Sequence, residues 1–362
     1  MNVLLAAGGT GGHLFPAAAL ASALKARGIE VDLATDDRAL KYGGDFPARA
    51  IYPIPSATPT RTGLVAKAQA AAMLGVGALS ALRLLMRLKP AAVVGFGGYP
   101  TVPPLVAASL LGVPSILHEQ NAVLGRANRF LSRRVTCIAA GFPEPGGVAP
   151  ALRSKLRFTG NPIRPAVLKA AETPYPDFSD GKLRVLVTGG SQGARVMSEV
   201  VPAALAELSA EERARLTLTL QARGEDRARA TADCARLGFS AEIAEFFPDL
   251  PARIAGAHLV VARAGASTVS ELAVIGRPSI LVPYPHALDQ DQAANAALLA
   301  KAGAATVIRQ SDFTPRALAA IWRAALADPA ALAAEAAAAR SAGVPDAAER
   351  LAALVAEVAG AK

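Results

Sequence analysis

At 362 residues the chain is longer than one ordinary hydrophobic core supports, so its length predicts two domains. A net charge of +9 favours an anionic partner, such as a nucleotide or an acidic membrane surface, while scattered basic residues and 5% aromatic residues argue against nucleic acid. Cys137 and Cys234 lie far apart and form no Cys-x-x-Cys motif, which argues against a disulfide framework or a zinc ribbon.

The first glycine-rich turn, residues 8–12, follows the apolar segment Val3–Ala6 and precedes a helix predicted from about Phe15 to Arg27. Glycines let the backbone approach a ligand closely, and a helix N-terminus favours negative charge, so the pattern is typical of phosphate binding. It matches neither the P-loop nor the dinucleotide fingerprint. His13 follows the turn directly, where it could accept a proton from an attacking hydroxyl or only shape the turn.

An apolar helix is predicted over residues 64–88, after a strand at 29–34 and an exposed loop with short strand pieces at 42–62. Between Lys67 and Arg83 lie 15 uncharged residues, too few to cross a bilayer. With its flanking cations, the helix could lie in the headgroup region of an anionic membrane. The alternative is a core helix packed on the sheet.

The uncharged segment 90–117 contains five prolines and four glycines. A lipid-exposed helix interrupted this often would leave backbone groups unpaired, so we predict a strand, a loop, a helix and a second strand instead of a membrane span. His118 and Glu119 come at the carboxyl end of that second strand, where ligands sit in open parallel sheets. They could act as a base and its orienting partner, or have only a structural role.

The second half repeats the alternation of strands and helices after a predicted linker at 165–182. It opens with an apolar strand and a second glycine-rich turn, Gly-Gly-Ser-Gln-Gly at 189–193. Two such turns, one in each half, predict two nucleotide-binding α/β domains that face each other. The remaining predicted elements are strands at 216–221, 241–244, 259–262, 279–282 and 306–308, an alanine-rich helix at 316–339 and a final helix at about 347–358.

A further turn of small residues at 263–271 leads into another predicted helix, with Ser267 or Thr268 as its N-cap and Glu271 completing a capping arrangement. Backbone N–H groups there could hold a diphosphate, and Glu271 could bind sugar hydroxyls. The Asp-Gln-Asp segment at 289–291 is similar to the Asp-x-Asp motif of metal-dependent sugar transferases. No third carboxylate lies nearby in the sequence, so we expect no metal site.

Six short motifs occur along the chain in a known order. They are Gly-Gly-Thr-Gly-Gly-His at 8–13 with Pro16, Gly-Gly-Tyr-Pro at 97–100, His-Glu-Gln-Asn at 118–121, Gly-Asn-Pro-Ile-Arg at 160–164, Gly-Gly-Ser-Gln-Gly-Ala-Arg at 189–195 and Thr-Val-Ser-Glu at 268–271. Together they resemble the MurG family of bacterial glycosyltransferases over nearly the whole chain. The set is far more specific than any single glycine-rich turn.

The resemblance implies a GT-B architecture, in which two Rossmann-like domains with parallel sheets face each other across a cleft, with no metal or other cofactor. It implies an acceptor-binding, membrane-facing domain at 1–163 with a C-terminal helix at about 341–362, and a UDP-GlcNAc-binding domain at 164–340. The implied reaction is inverting transfer of N-acetylglucosamine from UDP-GlcNAc to the muramyl 4-hydroxyl of lipid I, giving lipid II for peptidoglycan. The implied location is peripheral, at the cytoplasmic face of the inner membrane, with an anionic membrane surface and cell-wall synthesis proteins as candidate partners.

His13 is our first candidate for the general base, and Glu119 or His118 is the second. Because no metal is expected, backbone N–H groups, helix N-termini and Arg164 would have to stabilise the leaving diphosphate. The resemblance implies two adjacent glutamines, but this chain has Asp291-Gln292 at those positions. The sequence therefore does not fix which sugar hydroxyl Gln292 binds. The positions expected to bind UDP-GlcNAc are Thr10, Gly11, Gly12, Asn121, Arg164, Ser191, Phe247, Ala266, Ser267, Thr268, Val269, Ser270, Glu271 and Gln292.

Three other functions remain as alternatives. A GT-B enzyme acting on another lipid is disfavoured by the motifs at 97–100 and 118–121. A non-catalytic nucleotide-binding module would bind UDP-GlcNAc without transfer. A dinucleotide-dependent oxidoreductase is disfavoured by the altered glycine fingerprints.

Overall fold

The computed structural model describes residues 1–8, 11–36, 46–56, 64–190, 194–287 and 290–360. The chain folds into two compact units: unit 1 comprises Met1–Arg164 and Pro345–Lys362, and unit 2 comprises Pro165–Val344. Each unit contains a parallel β-sheet with helices packed against it. The predicted α/β class with two parallel sheets is confirmed.

In its described residues, unit 1 contains seven strands and four α-helices before the chain passes into unit 2. The strands are β1 (Asn2–Ala6), β2 (Glu30–Thr35), β3 (Ala50–Pro53), β4 (Ala92–Gly95), β5 (Ser115–Glu119), β6 (Cys137–Ala140) and β7 (Leu156–Phe158). The helices are α1 (Gly11–Ala26), α2 (Leu64–Leu88), α3 (Val102–Leu111) and α4 (Arg126–Leu131). The strand order is β3-β2-β1-β4-β5-β6-β7, all parallel.

The central strands of this sheet are apolar throughout because both of their faces are covered. Val3 and Leu5 pack into one hydrophobic core, while Leu4 and Ala6 pack into another. Successive side chains of a strand point to opposite faces of the sheet, so a continuous apolar run is what a doubly covered strand requires.

Unit 2 contains six strands and nine helices in the described residues. The strands are β8 (Leu183–Thr188), β9 (Leu216–Gln221), β10 (Glu242–Ala244), β11 (Leu259–Ala262), β12 (Ser279–Leu281) and β13 (Ala305–Val307), in the order β10-β9-β8-β11-β12-β13. The helices are α5 (Pro165–Ala171), α6 (Arg195–Ala206), α7 (Ala210–Ala214), α8 (Gly224–Arg236), α9 (Leu250–Gly256), α10 (Ala266–Ile275), α11 (Asp291–Lys301), α12 (Pro315–Ala327) and α13 (Pro329–Ser341).

Both sheets reverse their strand order at the strand that carries a glycine-rich turn. β1 lies between β2 and β4, and β8 lies between β9 and β11. In open parallel sheets, ligands bind beyond the carboxyl ends of the strands at such a reversal. The topology therefore puts each glycine-rich turn where a ligand is expected.

The C-terminal helix α14 (Ala347–Val358) packs on unit 1 instead of continuing unit 2. Its residues Leu351 and Val355 join the hydrophobic core that contains Leu20 and Leu24 of α1. A salt bridge of 3.1 Å between Arg27 and Glu349 lies at the edge of this contact.

Three predicted helix boundaries are wrong. α1 begins at Gly11, not near Phe15, so His13 lies inside its first turn. The helix predicted at 316–339 is two helices bent by 100°, because Pro329 cannot continue α12 and the Asp328 carboxylate caps α13 by accepting from Ala331 N at 3.0 Å. The N-cap of α10 is Gly265 without a side-chain cap hydrogen bond, so Ser267 and Thr268 lie in the first helical turn.

Helix α2 is longer than the uncharged run at 68–82 between Lys67 and Arg83. Its segment Ala71–Leu88 includes Arg83 and Arg87, and by length and composition alone it could cross a membrane. The bent pair α12 and α13 meets the same criterion only if it is taken as one span. In unit 1, however, α2 packs beside α3, and its residues Ala81 and Leu85 are buried in the core.

Candidate active site

His13 lies in the first turn of α1, just beyond the carboxyl end of β1. Gly98 packs beside its ring, since a Cβ at Gly98 would lie at van der Waals distance, 3.5 Å, from His13 Cε1. Gly98 also has a φ of 72°, which favours glycine. Burial lowers the pKa of His13, against the opposing influence of a hydrogen bond to the Gly8 backbone and of the Asp36 carboxylate. The imidazole is therefore neutral at about pH 7 and able to accept a proton.

His118 is fully buried in β5, and both of its ring nitrogens have partners. Nδ1 accepts a hydrogen bond from Gln120 Nε2 at 3.0 Å, so the proton is on Nε2, which donates to Gly160 O at 3.2 Å. Asn161 Nδ2 in turn donates to Gln120 O at 2.9 Å. Burial lowers the pKa of His118 to about 4. These contacts favour a role in holding the Gly160–Asn161 turn over a role in proton transfer.

Glu119, the last residue of β5, is also buried. Its Oε1 accepts from the backbone N and Nδ2 of Asn121 at 2.9 and 3.3 Å. Its Oε2 accepts from Gly125 N at 2.9 Å and from Asn128 Nδ2 at 2.7 Å. Burial raises the pKa of Glu119, and these four hydrogen bonds oppose that rise. Because both oxygens already accept two hydrogen bonds, the geometry favours positioning of Asn121 and the start of α4 over the alternative role as a base.

The Gly97–Pro100 turn joins these side chains to His13. A Cβ at Gly97 would lie 3.3 Å from Asn128 Nδ2 and 3.5 Å from Gln120 Oε1, and its φ is 83°. Thr101 Oγ1 donates to Gly98 O at 2.8 Å and closes the turn. Sequence reasoning missed Asn128, although an asparagine inside an arginine-rich helix was a usable signal. The polar side chains at the carboxyl edge of the unit 1 sheet are thus connected to one another through contacts with this turn.

When the pH falls below about 6.5, the ordinary pKa of histidine, protonation of His118 is expected to destabilise the folded protein. The folded pKa is lower than the unfolded one, so the stabilising contribution is complete above about pH 6.5 and is lost as the pH falls towards about 4. The loss from this residue amounts to about 3 kcal/mol of unfolding free energy. Urea unfolding of His118→Gln between these pH values should show a correspondingly weaker pH dependence. His286→Gln, at an exposed position, is the control, and a His118→Gln profile parallel to the wild type would contradict this assignment.

Arg164 and the α1 N-terminus lie together in unit 1. The Arg164 guanidinium is 4.7 Å from the centre of the Phe15 ring. Gly11 lies against the same ring, because a Cβ there would be 2.9 Å from Phe15 Cε2, and Gly12 is exposed. The positive charge, two glycines and a helix N-terminus suit an anionic ligand. Thr10 lies outside the described residues.

In unit 2, the glycine-rich turn after β8 rests on polar side chains from the ends of two strands. Gly190 N donates to Thr188 Oγ1 at 3.3 Å, and Thr188 Oγ1 donates to Gln221 Oε1 at 2.6 Å. Gln221 Nε2 then donates to Glu245 O at 3.1 Å, which links this turn to the segment before Phe247. Sequence reasoning missed Thr188 and Gln221, whose signal is a polar residue at the end of an otherwise apolar strand. Ser191 lies outside the described residues.

The predicted diphosphate-binding segment forms the first turns of α10. Ala266, Val269 and Glu271 are buried, while Ser267, Thr268 and Ser270 are partly exposed. For Ala266, burial leaves mainly the backbone as a means of contacting a ligand, whereas the backbone N–H of Val269 donates to Gly265 O at 3.0 Å. The first backbone N–H groups of a helix have no partner within the helix, so they are natural donors to an anion.

Polar side chains of α11 tie this helix to the turn before α10 and to the loop that contains Tyr284. Asn295 Nδ2 donates to Ala264 O at 3.1 Å and ties α11 to the turn before α10. Gln292 Oε1 accepts from Tyr284 N at 2.9 Å, so its amide oxygen already positions the loop and its amide nitrogen is the better candidate for binding a sugar hydroxyl.

Phe247 is buried beneath the Arg253 guanidinium, which lies 4.3 Å from the ring centre. The neighbouring Phe246 is 72% exposed.

Within the part of the chain that the structure describes, no three His, Cys, Asp or Glu residues are grouped so as to hold a metal ion. Asp289, the first carboxylate of the Asp-x-Asp segment, lies outside the described residues.

Comparison with known proteins shows matches over both units. The glycosyltransferase family 28 N-terminal domain matches residues 3–140, and the family 28 C-terminal domain matches residues 184–351. A relative from Methylobacterium sp. (strain 4-46) is 62% identical over 99% of this chain and 96% of its own length. It is named UDP-N-acetylglucosamine--N-acetylmuramyl-(pentapeptide) pyrophosphoryl-undecaprenol N-acetylglucosamine transferase. A relative from Rhodopseudomonas palustris (strain BisA53), 58% identical over 99% of this chain and 96% of its own length, has the same name.

Solved structures agree with this fold. The crystal structure of Acinetobacter baumannii MurG superposes with a TM-score of 0.80 at 30% identity, covering 98% of this chain and 99% of that one. A UDP complex of S. aureus MnaA has a TM-score of 0.71 at 14% identity, covering 100% of this chain and 97% of that one, a likeness of fold alone. The two-sheet architecture predicted as GT-B is therefore confirmed.

Proposed function

This chain belongs to glycosyltransferase family 28, and we infer that it transfers N-acetylglucosamine from UDP-GlcNAc to lipid I, the undecaprenyl-pyrophosphoryl-muramyl pentapeptide, in peptidoglycan synthesis. The observation that carries this inference is the 62% identity, over 99% of the chain, to a relative named for that reaction. The chain is thus a hexosyltransferase, and its products are lipid II and UDP.

We assign the acceptor mainly to unit 1 and the donor mainly to unit 2. The acceptor 4-hydroxyl attacks the anomeric carbon of the donor sugar and gives its proton to His13, while the bond to the diphosphate breaks and UDP leaves with the electron pair. A neutral imidazole at a helix N-terminus supports this role, because it can take up a proton at about pH 7. The other two candidates, Glu119 and His118, act as positioning residues in this scheme.

Charge on the departing diphosphate is balanced by the α10 N-terminus, the turn after β8 and Arg164. Loss of one such preorganised donor typically costs about 3 kcal/mol of barrier stabilisation. In this proposal Glu271 and Gln292 form hydrogen bonds with the sugar hydroxyls, and Phe247 forms part of the uracil site. The other proposed donor contacts are Thr10, Gly11, Gly12, Asn121, Ser191, Ala266, Ser267, Thr268, Val269 and Ser270.

Release of UDP from UDP-GlcNAc in the presence of a soluble muramyl-pentapeptide diphosphate tests the function directly. Transfer of radiolabelled N-acetylglucosamine to the acceptor, unchanged by EDTA, is the expected result. Donor binding without transfer would favour a non-catalytic nucleotide-binding module, and transfer only to a different lipid would favour another GT-B enzyme. Loss of activity with EDTA would overturn the metal-free mechanism.

We propose that α2 brings unit 1 to an anionic membrane surface from the cytoplasmic side. One face of the helix exposes large apolar side chains, among them Val76 and Leu79, which are 58% and 49% exposed. The exposed cations Arg83 and Lys89 lie towards its C-terminal end. Because its other face is buried in the core of unit 1, an interfacial position suits α2 better than a span.

Val76→Ser is expected to weaken binding to phosphatidylglycerol-containing vesicles by about tenfold. The free energy gained when a valine side chain moves from water into an apolar environment is large enough for a factor of this size. Val307→Ser is the matched control, since Val307 is also exposed, at 41%, but lies in unit 2. Vesicle co-sedimentation measures both. Equal binding by the wild type and Val76→Ser would place the membrane contact elsewhere.

A further inference from the structure

An apolar groove with a volume of about 520 Å³ lies in unit 1 between α2, α3 and α4. This volume is in the range of small-molecule binding sites, about 300–1,000 Å³. The residues that shape it are Gly75 and Ala78 of α2, Pro103 and Val106 of α3, Phe130 of α4, and Tyr99. The small side chains on α2 leave the space open, and the aromatic rings of Tyr99 and Phe130 form two of its walls.

One end of the groove adjoins the candidate acceptor site. Tyr99 lines the groove, and the preceding residue, Gly98, is the glycine that packs against the His13 ring. Arg126, which is exposed, is the charged residue among the described side chains that line the groove. It begins α4, directly after Gly125, whose backbone N–H donates to Glu119. A ligand that reaches from His13 into the groove thus passes from a polar site to a hydrocarbon-like one.

The helix that borders the groove also forms the apolar face of unit 1. Gly75 and Ala78 line the groove, while Val76 and Leu79, the next residue after each of them, are exposed large apolar side chains. The groove therefore continues into the surface that we assign to the membrane. A chain leaving a bilayer at α2 could enter it without crossing water.

We propose that this groove binds the first isoprene units of the acceptor's polyprenyl tail. The inference rests on the proposed function, because the occupant is the part of the acceptor that follows its diphosphate. The apolar lining suits the hydrocarbon, and the Arg126 guanidinium suits the diphosphate to which it is joined. In this arrangement the tail near the diphosphate is held by protein, and only its distal part stays in the bilayer.

Gly75 offers a way to fill the groove without disturbing the backbone. A Cβ at Gly75 meets nothing within 4 Å, and phenylalanine has a better helix propensity than glycine. Gly77, two residues on, is unsuitable because its Cβ would lie 2.1 Å from Pro55 O. Ala72→Phe is the matched control, since Ala72 is exposed on the same helix but does not line the groove.

The test compares two soluble acceptors, muramyl-pentapeptide diphosphates with a methyl or a geranyl tail, in the absence of any membrane. The wild type is expected to prefer the geranyl acceptor by about tenfold or more in kcat/KM, because burial of a few methylene groups suffices for that factor. Gly75→Phe should abolish the preference while the methyl-tailed acceptor reacts at the wild-type rate. Ala72→Phe should keep the preference.

Equal kcat/KM for the two acceptors in the wild type would overturn the inference, as would an equal loss with both acceptors in folded Gly75→Phe. Absence of transfer to either acceptor would instead overturn the proposed function. Should Gly75→Phe fail to fold, Ala78→Leu adds a smaller side chain to the same wall, and the same comparison decides. A preference for geranyl that survives in Ala78→Leu would then count against the groove.

Discussion

Replacing His13 by alanine is expected to lower kcat by about 10²- to 10⁴-fold, which is the range for loss of a general base. The dissociation constant for UDP-GlcNAc should change little, since the donor is assigned mainly to unit 2 and His13 is not among its proposed contacts. Single-turnover transfer and equilibrium binding of the donor measure the two quantities separately. We expect kcat to fall while the donor dissociation constant stays nearly unchanged, because the base accepts the proton in the transition state and not in the ground state.

The pH dependence of kcat/KM provides a second measurement on His13. Because burial lowers the pKa of this histidine, the acid limb of the wild-type profile should lie below pH 6.5. The limb should disappear in His13→Ala, whereas His286→Ala, at an exposed position in unit 2, should retain it. Equal losses in donor binding and turnover would make His13 a positioning residue.

Glu119→Ala is expected to lower the free energy of unfolding by about 3 kcal/mol or more and also to lower kcat/KM. The substitution leaves the donors of Asn121, Gly125 and Asn128 without their carboxylate, and each unsatisfied buried donor typically costs about 1–3 kcal/mol. Activity falls because Asn121 and the start of α4 lose their fixed positions. Urea unfolding and steady-state kinetics measure the two effects.

Two further variants separate the possible roles of Glu119. Glu119→Gln keeps the shape of the side chain but points an amide NH₂ group at N–H donors that the carboxylate accepted from. Its loss of unfolding free energy should therefore be smaller than that of Glu119→Ala but still measurable. Glu144→Ala, at an exposed position in unit 1, should leave stability and activity unchanged. Full stability of Glu119→Ala together with a lost acid limb in kcat/KM would make Glu119 the base and contradict our assignment.

Much of the fold could be predicted because its signals are local. Apolar runs such as Val3–Ala6, followed by glycine-rich turns, specify buried strands that lead into helices. The helix end at Gly112, with a φ of 67°, is another local signal. The break at Asp328–Pro329 was also readable, since proline stops a helix, but the alanine-rich composition on both sides masked it.

The candidate site was only partly predictable, because its key contacts join residues that are far apart in the chain. His118 at the end of β5 bonds to Gly160, which follows β7, and β6 lies between these two strands in the sheet. Thr188 bonds to Gln221 because β8 and β9 are neighbours in the sheet of unit 2. The same limit applies to the C-terminal helix, whose contact with α1 spans most of the chain.

By itself, the sequence determined the α/β class, the family and hence the reaction, because ordered motifs and apolar periodicity are properties of neighbouring residues. Only the tertiary structure gave the three proton-acceptor candidates their different surroundings. Both oxygens of Glu119 and both ring nitrogens of His118 have buried hydrogen-bond partners, whereas His13 lies in the first turn of α1, which supports our proposal that His13 is the base. The tertiary structure also decided that α2 borders a groove, since a groove exists only where side chains from separate helices fail to fill the space between them.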